Sequence, residues 1–130
     1  MRFAIVVRSG PASSEGSRSA LRFTQAVLDA GHDVHRVFFH GDGTYNANTL
    51  SVVPQDEEDL SASWAALGRE HDLDLVICVA SALKRGMLDA SEADRYERPA
   101  ASVRPEFVIS GLGQLADAAL DADRMVTFGG

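Results

Sequence analysis

The stretch "LDLVICVASALKRG", residues 73–86, decides the fold class. Its first eight residues, 73–80, form the most apolar run in the chain, which predicts a β-strand at the centre of a sheet. A run without polar alternation is typical of a strand covered on both faces, as in a parallel sheet. The residues that follow predict a short helical piece around 82–85 that breaks at Gly86.

The same alternation of apolar runs and helical patterns extends along the whole chain. Four further strands are predicted at 2–7, 33–40, 106–110 and 123–128, with helical spacing between them. Strands that alternate with helices form parallel units. We therefore predict a single α/β domain over residues 1–130, a three-layer α/β/α sandwich with a five-stranded parallel sheet and a flavodoxin-like shape.

Capping residues suggest where three of the helices begin and end. Ser17 is expected to cap the first helix, which Gly31 stops. Asp56 is expected to cap the second helix, because acidic residues follow it in the first turn. Ser91 and Asp94 resemble a capping box at the start of a later helix.

Composition and charge exclude several classes of function. The chain has 130 residues, 45% of them hydrophobic, and a formal net charge of −7, which disfavours direct contact with nucleic acid. The opening residues lack the pattern of a secretory signal, and no apolar run approaches the length of a membrane span. A cytoplasmic protein without membrane contact is therefore expected. One cysteine gives no internal disulfide and no cysteine-based zinc centre.

The candidate site follows from the predicted sheet, because open α/β sheets bind ligands at the carboxyl ends of their strands. Cys78 lies at such an end and is the strong nucleophile among the residues placed there. A thiol reacts as the thiolate, which a helix N-terminus and cations such as Lys84 and Arg85 favour. A buried, inert core cysteine explains the same position. The residues alone leave both interpretations open.

Other residues near this edge suggest weaker candidates. Tyr45 and Asn46 follow the second strand and are candidates for contact with substrate, although Asn-rich loops often shape turns. His32, His35 and His40 suggest a metal site, but strand alternation separates His35 from the other two and positions no carboxylate partner. The glycines match no phosphate-binding motif, so no metal or cofactor is predicted.

Four segments resemble the TusD/DsrE family of sulfurtransferase subunits. They are "RFAIVV" at the start, "VFFHGDGTYNAN" after the second strand begins, "DLVICVASALKRGMLDASEADR" around the cysteine, and "ISGLGQLADAALDADRMVTF" at the end. They occur in order and span the chain to about residue 128. The resemblance implies a sulfurtransferase in which Cys78 accepts sulfane sulfur as a persulfide and passes it to the next carrier.

The resemblance also implies partners. Subunits of this family form an α2β2γ2 heterohexamer with two related subunits, of the TusC/TusB or DsrF/DsrH type, and pass sulfur to a TusE- or DsrC-like acceptor. The pathway is either 2-thiouridine synthesis on tRNA or intracellular sulfur oxidation, and "SGLGQL" and "VTFGG" favour the second. The alternatives are a non-catalytic assembly subunit with an unreactive cysteine and a small-ligand or nucleotide-binding protein of flavodoxin-like shape.

Overall fold

The computed structural model describes residues 1–129 and contains one sheet of five parallel strands. The order of the strands across the sheet is β4-β3-β2-β1-β5. The predicted α/β class with a five-stranded parallel sheet is confirmed. The strands are β1 Arg2–Val7, β2 Asp33–Phe39, β3 Leu75–Cys78, β4 Phe107–Ser110 and β5 Arg124–Phe128.

The strand order corrects the predicted place of β3. The middle strand is β2, and β3 is second from the edge, next to β4. All four residues of β3 are nevertheless buried. An apolar run indicates that a strand is covered on both faces, and it does not indicate that the strand is in the middle of the sheet. The order also differs from the flavodoxin order 2-1-3-4-5. The likeness to flavodoxin is therefore one of layers and not of strand order.

Within residues 1–129, five α-helices and one 3-10 segment connect the strands. None of the helices in this described part of the chain has the length and apolarity that crossing a membrane requires. The helices are α1 Gly16–Asp29, α2 Leu60–His71, α3 Val79–Lys84, α4 Ala90–Arg95 and α5 Gly113–Asp121, and the 3-10 segment is Gly41–Ala47.

Three helix starts differ from their predicted positions by a few residues. Ser17 is not a cap but lies inside α1. The start of α2 is capped by the Asp59 carboxylate and not by Asp56, and the start of α4 is capped by Asp89 and not by Ser91. Several polar residues precede each helix, and tertiary packing decides which of them becomes the cap.

The helices form one layer on each face of the sheet. On one face, Leu21 of α1 and Trp64 of α2 pack with Phe39, and on the other face Leu115 of α5 packs with Phe38. The three-layer arrangement is thus confirmed. Trp64 is fully buried and meets the Phe39 ring edge-on, with the ring centroids 5.2 Å apart. Burial of one such side chain stabilises the fold by about 2–3 kcal/mol.

The chain leaves β3 and β4 toward opposite faces of the sheet. The helix after β3 contributes Ala82 to the core beneath α1 and α2, whereas the helix after β4 covers the other face. Open α/β sheets bind ligands in the crevice between two such strands. Cys78 ends β3 and pairs with Ser110, which ends β4. The topology therefore places Cys78 at the strand ends where such a crevice is expected.

Gly43 lies where the 3-10 segment crosses the end of β1. A Cβ here would sit 2.0 Å from the Val7 carbonyl oxygen. We expect Gly43→Ala to lower the free energy of unfolding by about 3 kcal/mol, measured by urea unfolding, because the segment must move off the sheet. Gly111→Ala is the control, since a Cβ there meets no atom within 4 Å. Equal unfolding midpoints for the two variants would contradict the close approach.

Candidate functional site

Cys78 joins β3 directly to α3, with no loop residue between them. It ends the strand and is the N-cap residue of the helix, with backbone angles of φ −63° and ψ 124°. Its side chain lies with Val76 and Phe38 beneath Leu115 of α5, so Cys78 is only 2% exposed. Within the described chain the thiol accepts no capping hydrogen bond from α3. The first N–H groups of this helix, which have no partner inside the helix, therefore follow Cys78 without a bond from its side chain.

His40 and Ser110 flank Cys78 on the neighbouring strands. Ser110 pairs with Cys78 in the ladder between β3 and β4. On the other side, the register of β2 and β3 places His40, one residue beyond β2, opposite Cys78. The His40 imidazole stacks on Phe38 with ring centroids 6.5 Å apart, which places it on the face of the thiol. An imidazole, a thiol and a hydroxyl thus form a row across the edge of the sheet.

The three histidines considered for a metal site lie apart from one another. His40 is beside Cys78, His32 meets the Phe3 ring edge-on at 5.6 Å, and His35 faces α5. The sequence pattern does not reveal that His40 lies level with Cys78 on the neighbouring strand, because strand register joins residues far apart in the chain. The available signal was that His40 ends one predicted strand, 33–40, and that Cys78 lies near the end of another, 73–80.

His35 is the histidine that approaches carboxylates. Its Nε2 lies 3.7 Å from Asp117 and 3.7 Å from Asp121, three groups close enough to hold a metal ion. Asp117 and Asp121 are thus the carboxylate neighbours of His35, which the sequence pattern alone did not position. Arg2 donates to Nδ1 at 2.6 Å, so in the neutral ring Nε2 carries the proton and offers no lone pair to a metal. The cluster is therefore better explained as a polar contact that holds β2 to α5 than as a metal site.

Arg36 adds further polar contacts between β2 and α5. Its guanidinium donates to the carboxylates of Asp74 at 2.7 Å and Asp117 at 2.9 Å, and to the carbonyl oxygen of Gln114 at 2.9 Å. The hydrogen bond from Arg36 holds the pKa of Asp117 below its usual range. Both Gln114 and Asp117 belong to α5, so these contacts help to hold the helix that covers the thiol.

Tyr45 and Asn46 lie on the 3-10 segment. Asn46 is completely buried: its oxygen accepts from the Ser17 hydroxyl, and its amide nitrogen donates to the carbonyls of Ser9 and Gly43, both at 2.9 Å. The amide is thus used within the protein and shapes the loop. Tyr45 is 38% exposed and lines a cavity of about 340 Å³. Of the two residues, Tyr45 has the surface to meet a substrate.

Lys84 and Arg85 lie at the end of α3 away from Cys78. Arg85 donates to Asp42 at 2.8 Å and to the Ser81 carbonyl at 3.1 Å, which fixes the helix to the 3-10 segment. Lys84 is exposed and lines a separate cavity of about 550 Å³. At 1.5 Å per residue it lies about 9 Å along the helix from Cys78. Both residues therefore lie at the end of α3 that is far from the sulfur.

Comparison with family models identifies the group of proteins to which this geometry belongs. The model of the DsrE/DsrF-like family matches residues 1–128. The chain belongs to the DsrE/DsrF-like family. The family predicted from the four sequence segments is confirmed, and the match includes every strand and helix described above.

Relatives of this DsrE/DsrF-like chain are similar over nearly their full lengths. A Pseudomonas aeruginosa protein named sulfurtransferase TusD homolog is 48% identical over 130 residues, which cover 100% of this chain and 98% of the relative. An Allochromatium vinosum protein with the provisional name sulfurtransferase DsrE is 45% identical over 129 residues, 99% of each chain. The predicted sulfurtransferase class is confirmed by these relatives.

The fold is also found in a solved structure. The crystal structure of the YchN protein from E. coli matches with a TM-score of 0.79 and covers 98% of this chain and 99% of that chain. Its sequence is 19% identical, so the likeness concerns the fold alone. It agrees with the three-layer α/β/α arrangement of the DsrE/DsrF-like chain.

Leu115 packs over the buried cluster that contains Cys78. We expect iodoacetamide to alkylate Cys78 about tenfold faster in Leu115→Ala than in the unmodified chain, because the truncated side chain no longer covers the sulfur. Intact-mass spectrometry over time measures the rate. The control is Leu120→Ala on the same helix, where the side chain is 86% exposed. If both variants react at the unmodified rate, Leu115 is not the cover.

Proposed function

We propose that this chain is a sulfur-relay sulfurtransferase that carries sulfane sulfur as a persulfide on Cys78. The observation that carries the proposal is the place of Cys78, at the adjoining ends of β3 and β4, at the N-cap of α3 and level with His40. Open α/β sheets bind ligands at such strand ends. Membership of the DsrE/DsrF-like family and the names of the relatives support the same chemistry.

Sulfur transfer needs two displacements at sulfur. In the first, the Cys78 thiolate attacks the outer sulfur of a donor persulfide, a new S–S bond forms, the donor S–S bond breaks, and the donor leaves as a thiolate. In the second, an acceptor thiolate attacks the outer sulfur of the Cys78 persulfide, and Cys78 leaves as a thiolate. One persulfide is made for each one consumed, so no external oxidant or reductant is required.

The neighbours of Cys78 suit these steps. The N–H groups in the first turn of α3 stabilise negative charge on the sulfur before and after loading. The His40 imidazole accepts the thiol proton before the first attack. In this proposal Tyr45, Lys84 and Arg85 contact the donor or the acceptor protein, since Tyr45 and Lys84 are exposed and Arg85 lies at the end of α3.

The burial of Cys78 favours a second candidate, a non-catalytic assembly subunit whose cysteine belongs to the core. At 2% exposure the thiol cannot meet a protein-bound persulfide until Leu115 or residues 110–113 move. The relay proposal requires that movement. Open space next to Gly111 and Gly113, where a Cβ would meet no atom within 4 Å, leaves room for it.

The relay proposal includes partners and a location. We place the chain in a cytoplasmic α2β2γ2 heterohexamer with two related subunits, serving a TusE- or DsrC-like acceptor and using no cofactor. The C-terminal segments "SGLGQL" and "VTFGG" favour intracellular sulfur oxidation over tRNA thiolation. Exposed apolar side chains support contacts between subunits. They are Val108, Leu112, Leu120 and Met125, each between 39% and 86% exposed.

The carrier role is tested by loading the protein with sulfur. After incubation with a persulfide donor, the intact mass should rise by one sulfur atom, dithiothreitol should remove it, and Cys78→Ser should show no gain. The thermal midpoint of Cys78→Ser shows whether the variant is folded. No gain in the unmodified chain, alone and with its partner subunits, would leave the assembly subunit as the function.

The role of His40 is tested by the rate of loading. We expect His40→Phe, which keeps a ring stacked on Phe38 but removes both nitrogens, to slow persulfide formation at least about tenfold. The dependence of the rate on pH should also change, which loss of packing alone would not cause. His32→Phe, at a histidine that meets the Phe3 ring edge-on, is the control. An unchanged rate and pH profile in His40→Phe would exclude the proton-accepting role.

A further inference from the structure

A second cavity lies between the C-terminal ends of α3 and α4. Each helix is followed by a residue in the left-handed region, Gly86 with φ +72° after α3 and Glu97 with φ +54° after α4. The turn after α4 closes with a hydrogen bond of 2.8 Å from the Arg98 N–H to the Ala93 carbonyl. The cavity has a volume of about 550 Å³, and its lining includes Leu83, Lys84, Leu88, Tyr96, Arg98 and Pro99.

The left-handed turn at Glu97 directs the chain into the cavity wall. This backbone region is unfavourable for residues other than glycine and persists where the surrounding structure enforces it. The turn sets the backbone of Arg98 at the cavity on one side. Lys84, at the end of α3, lines the other side. The two cations come from different helix ends, so the fold itself brings them to one cavity.

The two cations at this cavity are unusual in an acidic chain. The formal net charge is −7, yet the cavity lining described here contains no carboxylate. Lys84 and Arg98 form no ion pair within residues 1–129, whereas most arginines there are paired with Asp or Glu. The paired arginines are Arg18, Arg22, Arg36, Arg69, Arg85 and Arg104.

The rest of the lining is apolar and aromatic. Leu83, Leu88 and Pro99 provide apolar wall, and the Tyr96 ring is 43% exposed. The Arg95 guanidinium lies over the same ring, 5.3 Å from its centroid, and adds a third positive charge nearby. Sites for small ligands combine apolar walls with a few charged groups, and their volumes run from about 300 to 1,000 Å³.

We propose that this cavity binds a small organic anion, with its phosphate or carboxylate group between Lys84 and Arg98 and its apolar body against Leu83, Leu88 and Tyr96. Arginine and lysine bind such anionic groups through charge-assisted hydrogen bonds. The site is distinct from the candidate site at Cys78, because the two lie at opposite ends of α3. Lys84 is also among the residues proposed above to contact a donor or acceptor protein, but binding of the anion requires no sulfur on Cys78.

Lys84 is the only lysine in the sequence, which gives the site a selective label. Pyridoxal phosphate is an aromatic phosphate whose aldehyde condenses with an amine to an imine and water, and borohydride then reduces the imine to a stable amine. An aldehyde without a binding site reacts faster with an α-amino group, because more of that group is uncharged at neutral pH. The amine of Met1, which is 56% exposed, is therefore an internal control.

We expect limiting pyridoxal phosphate to label Lys84 in preference to Met1, as measured by peptide mass spectrometry after reduction. Arg98→Gln should reduce labelling of Lys84 about tenfold, while Arg124→Gln, at an exposed arginine of β5, should leave it unchanged. Phenyl phosphate and phenylacetate should compete for Lys84, and the stronger competitor identifies the preferred anionic group. Inorganic phosphate and benzyl alcohol should compete at least tenfold less, because each lacks one half of the ligand.

Two results would overturn the proposal. Predominant labelling of Met1 would show that nothing recruits the aldehyde to Lys84. Equal labelling of Lys84 in Arg98→Gln and Arg124→Gln would show that the cations only stabilise the ends of α3 and α4. Thermal midpoints of both variants confirm that they are folded. Sulfur loading on Cys78 is measured separately, so failure here and failure of the relay proposal are distinguishable.

Discussion

One buried amide connects the parts of the chain that meet at the carboxyl edge of the sheet. Asn46 accepts from Ser17 of α1 and donates to the carbonyl oxygens of Ser9 and Gly43. The Ser17 hydroxyl in turn accepts from the indole N–H of Trp64 in α2, at 3.3 Å. Every partner of the amide is buried, and a buried polar group left unpaired costs about 1–3 kcal/mol. The network therefore permits one arrangement of these elements.

The position of the thiol depends on this network through a chain of contacts. The amide holds the 3-10 segment, whose Gly41 N–H donates to the Ser81 hydroxyl at 3.0 Å and whose Asp42 accepts from Arg85. Ser81 lies in the first turn of α3 and Arg85 at its end, and α3 begins immediately after Cys78. Loop, helix and thiol are thus held by consecutive polar contacts, while Leu115 closes the opposite face.

Local patterns predict the helices and strands well because the spacing of apolar residues reflects which face of an element is buried. The apolar runs 2–7 and 33–40 become β1 and β2 almost unchanged, and Gly31, with φ +84°, follows the end of α1 as expected. The predicted third strand is too long because the helix begins at Val79, where the apolar run still continues. Strand order and caps depend on contacts between distant residues, which a local pattern does not contain.

The candidate site was likewise predicted in part from the sequence and in part missed. Cys78 is found from sequence because its position at a strand end is a local property, and the family resemblance adds to it. His40 is missed because only the register of β2 with β3 places it level with Cys78. The cavity with Lys84 and Arg98 is missed because turns after two separate helices create it. Residues that act together across elements become visible only once the topology is known.

The direct junction of β3 with α3 limits how far the sulfur can travel. A strand ladder holds the backbone of Cys78 on one side, and the first turn of a helix begins on the other. The sulfur can therefore move only by rotation of its own short side chain, unlike a group carried on a flexible swinging arm. The backbone of Cys78 stays in place, so any molecule that exchanges atoms with the thiol must come to the edge of the sheet and leave before the next molecule can bind.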